Sequence, residues 1–324
     1  MNPNEMLVTL MKNYPKTGHF VDDFRSARGL NLPEWPNWCF LPMAAWYAIV
    51  SEQHKLEQLG LDQVGDVSIL AALATWRYSQ GIYQINGDML EALSGSIIFG
   101  DLPADVFQRL PEWCIYVDTP GLTWANFEIS GFWAHLEWDA NDGHQELRLL
   151  INPVDGSPLP VPVHIGKWTV SEAVNKYIAE AKKQASIHNF PLIGVDNEEN
   201  IRILTEQVSK LVSILLYICS DAPDINDVRE PGKSATRPSP TKTKKGLRLF
   251  PATHPRIWSV GENVGEKLRV YRLAGGNNQQ KSKRAHLRRG HWHGYWTGPR
   301  SGDQKFVYRW IHPLIAGGGQ VEEE

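Results

Sequence analysis

Apolar residues recur at helical spacing in some stretches of the chain and alternate with polar ones in others. From Met43 to Leu59, Trp46, Val50, Leu56 and Leu59 fall near one stripe of a helix that Gly60 would stop. Val67 to Gln80 is rich in alanine and leucine, which predicts a helix packed on several sides, with Gly81 ending it. Shorter helices are expected within Met1 to Arg28 and over Gly87 to Leu93. Two long ones follow. Ser171 to Ile187 is opened by Thr169 or Ser171 as a cap, and in Glu198 to Cys219 the residues Ile201, Leu204, Val208, Leu211, Val212, Leu215 and Ile218 keep helical spacing. That last stripe must cover something, and a sheet is the available partner.

Strand patterns occupy the middle and the end of the chain. Ile82 to Ile85 is short and β-favouring, and Leu110 to Asp118 enters a strand after Pro111. Phe127 to Trp138 and Glu146 to Asn152 flank Asn141-Asp142-Gly143, a hairpin signal. Pro158 to Ile165 alternates prolines with β-branched residues and suits a sheet edge. Further strands are expected at Leu268 to Leu273, Leu287 to Trp296 and Lys305 to Pro313. The fold class read from this order is α+β: an antiparallel sheet covered by helices, with a basic, mainly β C-terminal lobe. The boundaries expected are an acidic domain over 1–228, a mobile basic linker rich in Pro, Ser, Thr and Lys over 229–246, a basic β-rich domain over 247–316, and a fraying tail over 317–324.

Charge sharpens that division. The net charge of −3 over 324 residues hides an uneven distribution. Residues 229–320 carry 19 lysines and arginines against four acids, a formal +15, and the remainder carries −18. Oppositely charged halves attract one another, and the basic half also draws RNA, ribosome or another acidic surface. Three scattered cysteines, Cys39, Cys114 and Cys219, read as buried thiols of a reducing compartment rather than a disulfide framework. No basic n-region with an apolar core opens the chain, and no apolar run approaches the roughly 20 residues of a membrane span, so a cytoplasmic protein with no membrane partner is expected. Phosphate-binding, nucleophile-elbow and dinucleotide-binding motifs are absent. Asp118, Glu128, Asp139 and Asp142 read as solvated acids near turns.

One stretch concentrates chemistry. Lys281 to Gly298 runs a basic cluster into glycine-spaced histidines and aromatics. Extended, it would place His286, Arg288, Trp292 and Trp296 on one face and Leu287, Arg289, His291, His293 and Tyr295 on the other. Cations interleaved with rings suit a partner that offers negative charge and flat or apolar surface. Lys283, Arg284, His286, Arg288, Arg289, His291, Trp292, His293, Tyr295 and Trp296 are therefore the candidate partner-binding residues. Three other readings stand beside this one: a half-buried aromatic strand, a metal pair at His291 and His293, and a metal-free RNA-cleaving enzyme with those histidines as acid and base. Residues two apart on a strand project in parallel, which suits in-line displacement poorly. No catalytic residue, metal or cofactor is assigned.

Ala285 to Gly298, followed by Phe306-Val-Tyr-Arg-Trp310, resembles the C-terminal signature of a type V-A anti-CRISPR family encoded on mobile elements. Leu110 to Asp118, Gly81 to Ile85, Ala222 to Ile225 and Ile257 to Glu262 resemble further blocks of that family, in the same order. The resemblance implies a protein that lowers production of the type V-A effector nuclease during translation. It would recognise the effector's nascent N-terminal peptide and promote loss of its mRNA. The basic lobe would rest on ribosome or mRNA. The resemblance carries over no catalytic residue, so RNA decay would be the host's. Direct capture of the mature effector by the acidic lobe is the other binding mode.

Overall fold

The computed structural model describes residues 2–188, 197–244, 246–275, 286–288, 291–299, 301–311 and 314–316. Four helices lead: α1 (Pro3–Asn13), α2 (Thr17–Ala27), α3 (Met43–His54) and α4 (Leu61–Trp76). Next come β1 (Gly81–Ile85), α5 (Gly87–Ser94), β2 (Ile97–Ile98), α6 (Ala104–Phe107), β3 (Cys114–Asp118), β4 (Thr123–Trp124), β5 (Phe127–Trp138), β6 (Gln145–Pro153) and β7 (Leu159–His164). The long helices α7 (Val170–His188) and α8 (Glu198–Ile218) precede β8 (Ile225–Asp227), β9 (Thr241–Thr243), β10 (Gly246–Arg248) and β11 (Arg256–Val260). The described elements end with α9 (Glu262–Gly275), β12 (His286–Arg288), β13 (His291–Thr297), β14 (Lys305–Ile311) and β15 (Leu314–Ala316).

The main sheet has the order β7-β6-β5-β3-β1-β11-β8, with β4 added on β5. β7, β6, β5 and β3 are antiparallel neighbours, β1 is parallel to both β3 and β11, and β8 closes the far edge antiparallel to β11. The fold is thus mixed α/β around a mostly antiparallel sheet. Proline-bearing β7 takes an edge, as its missing N–H groups require. Between β5 and β6 the hairpin closes where Asn-Asp-Gly is expected: the Gly143 N–H donates to the Asp139 carbonyl at 2.9 Å, and Gly143 has φ +73°.

Alternation puts neighbouring side chains on opposite faces, and both faces are covered. Cys114, Tyr116, Trp133 and Leu150 pack with α1, α3 and α4, while Ile115, Val117, Phe132 and Leu149 pack with α5–α8. This explains why β3 reads as a continuous apolar run. On α8, Val208, Leu211, Val212, Leu215 and Ile218 are buried. Each contributes about 1.5–3 kcal/mol relative to exposure, so packing rather than propensity holds the helix. α7 starts at a capping box, in which Thr169 Oγ1 accepts from the Glu172 N–H (3.3 Å) and Glu172 Oε2 accepts from the Thr169 N–H (2.8 Å).

Several expectations change. α3 stops at His54 because Lys55 adopts a left-handed conformation, φ +54°. Leu268 to Leu273 is not a strand but part of α9; only Leu268 of its apolar residues is shown buried, with Val270 and Leu273 exposed. The boundary expected at 229–246 does not divide the sheet, since β11, from beyond it, pairs with both β1 and β8. Nor is that segment without anchors. Arg237 donates to the carbonyls of Gln108 and Leu110, at 2.7 and 3.1 Å, and Ala235 packs on the core. The expected tail over 317–324 lies outside the described residues.

Candidate partner-binding surface

β13 is the middle strand of a small sheet ordered β14-β13-β2, antiparallel to β14 and parallel to β2. Two polar anchors hold the sheet against α8 and the turn after α5, and a third ties β14 to the residue that follows β2. Trp292 Nε1–H donates to Ser213 Oγ (2.9 Å), Trp310 Nε1–H to Ser96 Oγ (2.8 Å), and the Tyr308 hydroxyl to the Phe99 carbonyl (2.9 Å). Trp292 also stacks on Tyr308, centroids 5.5 Å apart and planes at 7°, and Trp310 meets Tyr217 edge-on at 5.9 Å. Trp292 is therefore a core residue, 0% exposed, and is withdrawn from the contact surface expected of it. Alternation hands one side of the strand to α8, and the sequence pattern could not say which side.

On the opposite side of β13, His293 and Tyr295 are exposed and His291 is half-buried, while Val307, the partner of Tyr295 on β14, is buried. Phe99, His291, His293 and Tyr295 form a continuous ladder of rings, with successive centroids 6.2, 6.4 and 4.4 Å apart, each pair edge-to-face. Phe99 is 56% exposed and Tyr295 40%. Exposed Arg309 stands opposite His293 in register, on the same face. Trp296 shares the side of Trp292 yet is 67% exposed. His286 and Arg288 lie on β12, paired with β15 as His286↔Ala316 and Arg288↔Leu314. Lys283, Arg284 and Arg289 lie outside the described residues.

This arrangement gives binding chemistry. Ring edges and faces accept apolar groups, bases or peptide planes, and a guanidinium beside them contacts carboxylates or phosphates. His291 and His293 project from one side of one strand, their ring centroids 6.4 Å apart. Phe99 and Arg309 were not among the sequence-derived candidates. Arg309 was within reach, because pairing the strand expected at Lys305 to Pro313 with that at Leu287 to Trp296 would have put it beside the histidines. Phe99 follows a two-residue strand and carries no such signal.

Three arginines of the C-terminal half are paired with acids. Arg248 binds Asp22, Arg256 binds Asp227 and Glu230, and Arg272 binds Asp88 and Glu91 at 3.1 and 2.9 Å. Elsewhere a groove of about 470 Å³ opens along α8, lined by residues such as Glu198, Arg202, Thr205 and Ser209, a mixture with no convergent charge.

Comparison with known proteins adds three findings. The model of the AcrVA2-like family, anti-CRISPR type V subtype A2, matches residues 83–318. The protein FinQ of Escherichia coli is 24% identical over 231 residues, covering 66% of this chain and 65% of FinQ's own length. The crystal structure of AcrVA2 has a TM-score of 0.68 at 23% identity, covering 98% of this chain and 100% of that one, a likeness of fold.

Proposed function

Because the chain belongs to the AcrVA2-like anti-CRISPR family of type V subtype A2, we propose that it suppresses synthesis of the type V-A effector nuclease, reading the effector's N-terminal peptide as it emerges from the ribosome and promoting loss of the mRNA. The observation that supports a peptide ligand is the ring ladder from Phe99 to Tyr295 with Arg309 beside it. A nascent chain is extended and offers alternate side chains and backbone planes to such a strip. On this reading, removal of the message falls to host RNA decay.

The test is capture of purified protein by a synthetic peptide matching the effector's first residues. Wild type binds. Tyr295→Ala with Arg309→Glu lowers affinity about tenfold, or on the order of 1.4 kcal/mol, with an unchanged melting temperature. Unaltered peptide binding by that variant would remove the ladder from the site. In cells, blocking translation of the effector transcript while keeping it abundant abolishes its loss on this reading. Transcript loss that persisted would instead indicate a free ribonuclease, and normal transcript with a stable complex of mature effector would indicate direct capture.

A further inference from the structure

A second cluster of histidines lies at the edge of the main sheet and has no part in the ladder. Glu146 of β6 and His164 of β7 are register partners, so their side chains rise together from one face. His144, just before β6, turns its ring to the same point. Its backbone is held there by the hairpin: its N–H donates to Asp142 Oδ1 (2.8 Å) and its carbonyl accepts from the Asp139 N–H (2.9 Å). Glu146 Oε1 lies 3.7 Å from His144 Nε2 and 3.4 Å from His164 Nδ1. The two ring nitrogens are in direct hydrogen-bond contact, and one donor atom from each of the three residues falls within 4.8 Å of the others.

We propose that His144, Glu146 and His164 bind one divalent first-row transition ion, with Zn²⁺ the best match, and that the ion clasps the β5–β6 hairpin to edge strand β7. Donor atoms about 2.0–2.2 Å from a tetrahedral ion stand roughly 3.3–3.6 Å from one another. The His164–Glu146 contact has that spacing and the His144–Glu146 contact is close to it; the two imidazoles have to part by roughly 1 Å. Two imidazoles and one carboxylate form a borderline donor set that favours zinc, cobalt or iron over magnesium or calcium. Arg148 Nη2 forms an ion pair with the other carboxylate oxygen, Glu146 Oε2, at 2.5 Å, although the angle is not that of a hydrogen bond, and Oε1 faces the rings. The side chains of His144, Glu146 and His164 are 25%, 13% and 10% exposed, shielded yet still in touch with solvent. Without an ion the same groups are a plain hydrogen-bonded chain, and experiment separates the two states.

The full-length chain, stripped with chelator, is titrated with Zn²⁺ by calorimetry and with Co²⁺ by visible absorption. One ion per chain, Co²⁺ ligand-field bands of a four- or five-coordinate site and a raised melting temperature are expected. His144→Ala and Glu146→Gln each weaken binding about tenfold or more, while His293→Ala leaves it unchanged. Absence of stoichiometric binding overturns the proposal, as does binding that survives both variants. If His144→Ala fails to fold, the wild-type Co²⁺ spectrum decides: imidazole and carboxylate coordination sustains the site, and the spectrum of the hexa-aquo ion dismisses it.

Discussion

Glu112 is 3% exposed, and a methyl group added at Gly81 would fall 2.1 Å from its Oε2. Burial pushes this carboxyl from its ordinary 4.5 up to about 7, with Ser79, Trp258, Arg256 and Gly81 pulling the other way. The fold thus favours the protonated form more than the unfolded chain does. Its contribution to stability is complete below 4.5 and is lost as pH rises through about 7. Glu112→Gln, neutral at every pH, should flatten the melting temperature across that window and leave the variant the more stable protein at pH 8; parallel curves for variant and wild type would show that Glu112 is not the group responsible. Gly81→Ala should cost about 1–3 kcal/mol in urea unfolding, because the added carbon has only a buried carboxylate to displace. Trp292→Ala, which empties a fully buried site and orphans Ser213 Oγ, should cost about 3–5 kcal/mol.

At the level of elements, β11 joins the part of the chain beyond the basic segment to the main sheet. It pairs in parallel with β1 over five residues, from Gly81↔Arg256 to Ile85↔Val260, and Trp258 stacks near Tyr83 with centroids 6.2 Å apart. Removing it would expose the long edge of β1 and the buried side of Trp258's neighbours. A chain ended at residue 228 should therefore lose its cooperative thermal transition. A 1–228 fragment that melts cooperatively near the full-length temperature would show instead that the sheet is complete without β11.

Across the whole molecule, the attraction expected between oppositely charged halves takes the form of named pairs, Arg248 with Asp22 and Arg272 with Asp88 and Glu91. Partly exposed pairs of this kind contribute about 0–1 kcal/mol each and orient more than they stabilise. They also remove those two cations from service to a partner, whereas Arg309 stands beside the ring ladder. On the reading that the basic half rests on RNA, retention of the protein on RNA should fall steeply with salt, and Arg309→Glu should reduce that salt slope. A salt-independent interaction would exclude a phosphate contact. No helix among the described residues is long and apolar enough to cross a membrane.

Sequence by itself determined the elements whose pattern is local: the stripe of α8, the β5–β6 hairpin around Asn141-Asp142-Gly143, and the proline-marked edge β7. Side-chain period is a property of neighbouring residues, so it can be read without knowing what lies opposite. Tertiary structure alone decided that Trp292 faces α8, that 268–273 is helical, that β11 closes on β1, and that His164 meets Glu146. Each of these depends on a contact between segments far apart in the chain, where burial and register choose between options that the local pattern leaves equal.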